Sequence, residues 1–228
     1  MALYKYLLFD ADNTLLDFNR AESDALRATL GRCPLGYTQE IYDRYHEINE
    51  GEWKRLEKGE TTRERLRTER FEKLYNEHGF NGAALAERTA DVYVGELGRF
   101  HYLIPGAMEC VESLYGRYRM YIVTNGTASV QRSRLALCGL MKFFDGCYIS
   151  EDIGASKPDS AFFDAVLNDI GDSDRKGYLV IGDSPSSDIA GAVASGLDSC
   201  LVNPHFQEYG NCGATYTVRG LEELSRIL

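Results

Sequence analysis

The feature that most constrains this chain is a recurring unit: a short apolar run stopped abruptly by carboxylates or small polar residues. Tyr4–Phe9 is followed by Asp10-Ala11-Asp12, and similar runs recur at Met120–Thr124, Cys147–Ser150, Tyr178–Ile181 and Ser199–Val202. Runs of this length with these boundaries read as buried strands. Segments of helical character separate them at Ala107–Tyr115, Ser129–Cys138, Ser160–Ile170 and Asp188–Ser195. Alternating strands and helices predict an α/β fold, a parallel sheet covered by helices on both faces. Tyr216–Val218 adds a last short strand and Leu221–Leu228 a closing helix.

Residues 18–100 break that rhythm. They contain no convincing strand and are rich in Glu, Arg, Lys and Leu. Thr61 and Glu64 have the spacing of a capping box, with Leu66, Arg70 and Leu74 at helical intervals and Gly79 as a stop. Ile41, Tyr45, Ile48 and Glu52 repeat the same interval, three of them able to bury a face. The predicted organisation is therefore a core of 1–17 and 101–228 with a helical module, 18–100, inserted after the first strand. No internal repeat or low-complexity segment is visible.

The chain carries 35 acidic and 25 Lys or Arg residues, a formal charge of −10. That balance argues against a nucleic-acid polymer or an anionic membrane as partner. It also opposes a phosphorylated small molecule at long range, so a divalent cation and a buried lysine have to reverse the field locally. The six cysteines form no C-x-x-C pair, which predicts buried reduced thiols. The apolar run at Tyr6–Phe9 is too short for a signal peptide and no segment reaches membrane-spanning length, so a cytoplasmic setting is expected.

Four motifs carry chemistry. Asp10 and Asp12 follow the first strand, and two carboxylates two residues apart leave a strand on one side, at the end where α/β sheets bind ligands. One can attack phosphorus while the other protonates a departing alcohol and then deprotonates water. The same residues also make ordinary solvated turns. Thr124-Asn125-Gly126 ends a second strand and offers a hydroxyl and backbone N–H groups to a phosphate, with the next helix aiming its positive end there. A simple capped turn reads the same way. Lys157-Pro158 places a cation at a helix entrance, where it can neutralise an aspartyl-phosphate or merely be solvated. Gly182-Asp183-Ser184-Pro185-Ser186-Ser187-Asp188 puts carboxylates after another strand. Asp183 can bind Mg²⁺ beside Asp10, with Asp188 behind it or bridging to Lys157, or Asp188 can simply cap a helix.

In this order and over nearly the full length, the motifs Asp10/Asp12/Thr14, Thr124/Asn125, Lys157 and Gly182-Asp183…Asp188 resemble those of the haloacid dehalogenase-type phosphohydrolase superfamily. The resemblance implies a Rossmann-like three-layer core with a parallel sheet and an inserted α-helical cap domain. It implies Asp10 as nucleophile, Asp12 as general acid/base, and Mg²⁺ on Asp10, the backbone carbonyl of Asp12, and Asp183. It points to phosphate chemistry and away from dehalogenation, because dehalogenating members lack the carboxylate that this chain has at Asp12. Asp12–Phe18, Ile104–Ala107, Thr124–Gly126, Ile149–Pro158 and Asn203–His205 further resemble bacterial pyrimidine and non-standard nucleoside 5′-monophosphate phosphatases, and Asn49–Gly59 around Trp53 does so loosely. A small phosphate ester, a nucleotide by this resemblance, is the expected partner. A sugar-phosphate phosphatase, a phosphosugar mutase and a non-catalytic regulatory homologue are the alternatives. Phe18, Trp53 and the tyrosines of 18–100 can contact a base or simply pack, and monomer or homodimer stays open.

Overall fold

The computed structural model describes residues 3–205 and 207–228, and the chain divides into two compact units. One comprises the chain through Phe18 together with His101–Leu228; the other is Asn19–Phe100. The second unit is built from most of α1 (Phe18–Leu30) and from α2 (Gln39–Glu57), α3 (Arg63–Glu77) and α4 (Gly82–Leu97). Ile41, Tyr45 and Ile48 are buried along α2, and Leu66, Arg70 and Leu74 along α3, at the spacing the sequence predicts. Glu52 is buried with them. The cap falls one residue later than predicted, and with Arg65 at its third helical position it is a plain N-cap and not a capping box. Thr62 has the extended backbone of an N-cap and its hydroxyl accepts from Arg65 N at 3.4 Å, while Thr61 is buried. Two adjacent threonines have equal cap chemistry, so spacing alone could not choose between them.

The other unit holds β1 (Tyr6–Phe9), α5 (Ala107–Leu114), β2 (Arg119–Thr124), α6 (Ala128–Cys138), β3 (Gly146–Ile149), α7 (Ser150–Ile153), α8 (Ser160–Ile170), β4 (Tyr178–Gly182), α9 (Ala190–Ala194), β5 (Asp198–Val202) and β6 (Tyr216–Val218). The strands form one parallel sheet in the order β3-β2-β1-β4-β5-β6. Successive side chains of a strand face opposite ways, and both faces here are apolar. Leu7 and Phe9 of β1, Ile122 of β2 and Ile181 of β4 pack with Val111 of α5 and Leu135 of α6. Leu8, Val123 and Val180, each one residue along, pack with Phe162 and Phe163 of α8 and Ala192 of α9. The result is the expected three-layer Rossmann-like core.

Local differences have local causes. Ser150 opens α7 and does not extend β3. A π-helical turn over Pro185–Ile189 leads into α9, with the Ser184 hydroxyl accepting from Ser187 N at 3.2 Å. Leu221–Arg226 is a 3₁₀ turn, its buried Leu221 and Leu224 three residues apart as that helix requires. All six cysteines are free thiols, three buried and three half-buried. No helix among the described residues is long and apolar enough to cross a membrane.

This topology fixes where chemistry can occur. From β1 the chain steps to β2 and β3 on one side, then returns to place β4 on the other. Ligands in such sheets bind at the carboxyl ends of the strands beside this reversal. Asp10 follows β1, Thr124 closes β2 and Asp183 follows β4.

Candidate active site

Asp10 N donates to Ile181 O at 2.8 Å, extending the β1–β4 ladder by one bond and holding the Asp10 backbone beside β4. The chain then turns sharply. Leu15 N and Leu16 N both donate to Ala11 O, and Asn13 adopts a left-handed φ of 58°, a conformation asparagine tolerates better than most residues. Asn13 Oδ1 accepts from Phe18 N at 3.1 Å, tying the loop to the first turn of α1. The alternation that predicts Asp10 and Asp12 on one side applies only inside a strand, and β1 ends at Phe9. The two carboxylates accordingly meet different partners. Thr14, third in the motif, is fully buried, its hydroxyl without a hydrogen-bond partner among the described residues.

Lys157, itself one of the four motifs, joins the other three. Its side chain is 1% exposed, and Nζ donates to Asp10 Oδ1 at 2.6 Å, Asp188 Oδ1 at 2.7 Å and Val123 O at 2.8 Å. All three ammonium hydrogens are therefore used. The Lys157 backbone is held by Asn125, whose Nδ2 donates to Lys157 O at 2.8 Å and whose Oδ1 accepts from Lys157 N at 2.9 Å. Asn125, predicted to bind phosphate, thus clamps the peptide of Lys157, and the Lys157-Pro158 bond is cis. Asp188 bridges to Lys157 as one of its predicted alternatives has it, and its Oδ2 accepts from Ser184 N at 3.0 Å. Gly182 makes this possible: a Cβ there would lie 2.2 Å from Asp188 Oδ2.

Asp183 completes the cluster. One carboxylate oxygen from each of Asp10, Asp183 and Asp188 falls within 4.8 Å of the others. Three carboxylates gather around one ammonium that bonds to only two of them, and the electrostatics follow. Burial pushes the Asp10 carboxyl up to about 7, a rise to which Asp188 and Asp12 add and which Lys157 opposes. Asp183 is raised well above the carboxylate range, by burial first and then by the charges of Asp10 and Asp188. Burial alone would lower the Lys157 pKa, but the two carboxylates beside it overcome this and raise it. Such a set of hard oxygen donors with uncompensated negative charge fits a divalent cation such as Mg²⁺. Phosphate-bearing ligands bring the same need for positive charge.

Asp12 sits apart from that cluster's lysine. Its Oδ2 accepts from Gln131 Nε2 at 2.8 Å, and its Oδ1 pairs with Arg134 Nη1 at 2.5 Å. Gln131 Nε2 also donates to Thr124 Oγ1 at 2.7 Å, and Gly126 N donates to the same oxygen at 3.2 Å. With two donors already on Oγ1, the Thr124 hydroxyl keeps its proton to offer elsewhere. Sequence reasoning missed both Gln131 and Arg134. The detectable signal was position: they fall on the face of α6 that buries Ala128, Leu135 and Cys138, and a charged residue on an apolar stripe needs a buried partner.

Residues 4–196 match the family model described as haloacid dehalogenase-like hydrolase. The chain belongs to this family of hydrolases. Three full-length relatives narrow the neighbourhood. The Bacillus subtilis HAD-hydrolase YfnB is 38% identical over 231 residues, spanning 100% of this chain and 97% of its own. Its magnesium-bound crystal structure superposes with a TM-score of 0.91, covering 99% of this chain and 98% of that one. The pyrimidine 5′-nucleotidases PynA of Streptococcus pneumoniae and YjjG of Escherichia coli are 35% and 30% identical. They cover 97% and 99% of this chain, and 93% and 98% of their own lengths.

Proposed function

We propose that this protein is a Mg²⁺-dependent phosphomonoesterase that acts through an aspartyl-phosphate on Asp10, with a nucleoside 5′-monophosphate as substrate. The observation that carries the reading is the buried Lys157 ammonium, shared by Asp10 and Asp188 inside a three-carboxylate cluster at the strand ends. The pyrimidine 5′-nucleotidase relatives support the substrate class.

In this reading an Asp10 oxygen attacks phosphorus, the phosphorus–ester oxygen bond breaks, and the departing alkoxide takes a proton from Asp12. Asp12, now a carboxylate, takes a proton from water as that water attacks phosphorus. The bond to Asp10 breaks and inorganic phosphate leaves. Lys157 and the donor hydroxyl of Thr124 receive charge on the phosphoryl oxygens. Asn125 acts one step back, by fixing the lysine. Asp10, Asp183 and, by family resemblance, the backbone carbonyl of Asp12 would hold Mg²⁺, which when bound supplies positive charge and orients the phosphate. Asp188 anchors Lys157 behind them. The helical residues 18–100 serve as cap to the 1–17 and 101–228 core, in the cytoplasm.

Phosphate release from a panel of nucleoside mono-, di- and triphosphates and sugar phosphates, with Mg²⁺ and with chelator, tests this. Mg²⁺-dependent release strongest on nucleoside 5′-monophosphates is expected. Preference for a sugar phosphate would transfer the assignment to the alternative, and phosphate returned to product would indicate a mutase.

A further inference from the structure

Gln131 and Arg134 are both fully buried, and nothing in the reaction as set out above uses them. Three residues apart, they share a face of α6. A buried arginine is costly unless paired, and this one pairs with Asp12 Oδ1 while also donating to Gln131 Oε1 at 3.1 Å. The second bond sets the amide. With Oε1 turned to the guanidinium, Nε2 is left to donate, and its two hydrogens go to Asp12 Oδ2 and Thr124 Oγ1. The glycine of Thr124-Asn125-Gly126 makes room for this side chain: a Cβ at Gly126 would lie 2.6 Å from Gln131 Cγ and Cδ.

We propose that Gln131 and Arg134 are positioning residues that lock the Asp12 carboxyl in register with the Thr124 hydroxyl. The proposal rests on the phosphatase reading above. Through one amide, the group that moves the proton and the group that holds the phosphoryl oxygen are kept at a fixed separation. A carboxylate has about four lone-pair directions. Gln131 and Arg134 take one on each oxygen and leave one on each for a leaving group or a water. Phe18 closes the device, its ring 5.6 Å from the Arg134 guanidinium carbon. Arg134 therefore acts on the proton through Asp12, and Gln131 acts on both groups at once.

The test is leaving-group dependence. An activated phenoxide departs without a proton, whereas a nucleoside alkoxide needs one, so a fault in Asp12 shows on the alkyl ester. Gln131→Met and Arg134→Met are each expected to lower kcat/KM for a nucleoside 5′-monophosphate by roughly 10–100-fold; that for an activated aryl phosphate should fall by less than about 3-fold in Arg134→Met, and in Gln131→Met, which also frees Thr124, by more than that but less than on the alkyl ester. Arg134→Lys, which keeps the charge, should recover part of the alkyl rate. Adding Arg134→Met to Asp12→Asn should not move the alkyl-to-aryl ratio further, because both act through one group. Equal losses on the two esters, or a further shift in the Asp12→Asn background, would overturn the proposal. If Arg134→Met does not fold, Gln131→Met carries the same comparison, since it leaves the ion pair in place. A wild-type enzyme that releases phosphate from neither ester would instead sink the phosphatase reading, and this proposal with it.

Discussion

The two units bury charge in opposite ways. In the helical unit each buried acid has its own partners. Glu22 accepts from His46 Nδ1 at 2.6 Å and Asn49 Nδ2 at 2.7 Å, and Asn49 Oδ1 in turn accepts from Arg70 at 2.8 Å. Glu52 is paired with both Lys73 and Arg55. Burial alone would raise the Glu52 carboxyl, but those two cations outweigh it and hold the carboxyl below its usual range. In the sheet unit Asp10 and Asp188 divide one lysine, Asp183 lies beside them without a cation of its own among the described residues, and the Asp10 and Asp183 carboxyls move up. The opposite shifts have two causes: Asp10 and Asp183 are the more deeply desolvated, and they have one lysine near them where Glu52 has two cations. Balanced buried charge holds helices together; negative charge left in excess at the strand ends calls for a cation.

Exchanging the acids of the two regions is the sharpest way to break this contrast. Asp10→Asn should lower turnover by ~10³-fold or more with the fold intact, as expected when a covalent nucleophile is removed. Retention of more than a few per cent of wild-type phosphate release would remove covalent catalysis from the account. On stability the regions should diverge in sign. Glu22→Leu leaves His46 and Asn49 without their acceptor and should cost roughly 3 kcal/mol in a denaturant titration, with the response to Mg²⁺ unchanged. Asp183→Asn relieves a carboxyl that is unfavourable when ionised. The metal-free Tm should rise by about 2–4 °C for each kcal/mol relieved, and the stabilisation by Mg²⁺ should disappear. Destabilisation by both variants would mean that the core cluster is balanced after all.

The pH dependence refines the same contrast and is the smallest effect. Asp10 is an acid whose folded value, about 7, lies above its ordinary 3.8. Between those values the folded state binds more protons than the unfolded one, so stability falls as pH rises through that window. His46 is raised, first by its hydrogen bond to Glu22, and its stabilisation is also lost as pH rises through its folded value. Mg²⁺ separates the two. With the ion bound, the contribution from Asp10 should vanish from a plot of Tm against pH while that from His46 persists. Identical profiles with and without Mg²⁺ would contradict the assignment of Asp10.

The strands and their terminal carboxylates were legible because apolar runs stopped by acids are visible in one dimension. The stripes of α2 and α3 were legible for the same reason, since periodicity survives without coordinates. The separate partners of Asp12 were not legible, because two-residue alternation holds only while the strand lasts and Asn13 turns the chain at once. Gln131 and Arg134 belong to no motif, and their place on the apolar face of α6 was the only trace of them in the sequence. Only the pairing of α6 with the loop after β1, from Arg134 to Asp12 across more than a hundred residues, turns them inward. Asn125 has the chemistry of a phosphate ligand, and its use on the Lys157 peptide depends on how closely the loops after β2 and β3 approach.

The central claim is that the strand-end cluster holds one metal-bound phosphoryl group. Crystals soaked with Mg²⁺ and a phosphate mimic test it most directly. A single ion shared by Asp10 and Asp183 is expected, with the mimic against Asp10, Lys157 and the Thr124 hydroxyl. An ion elsewhere, or a mimic that does not reach Asp10, would contradict it.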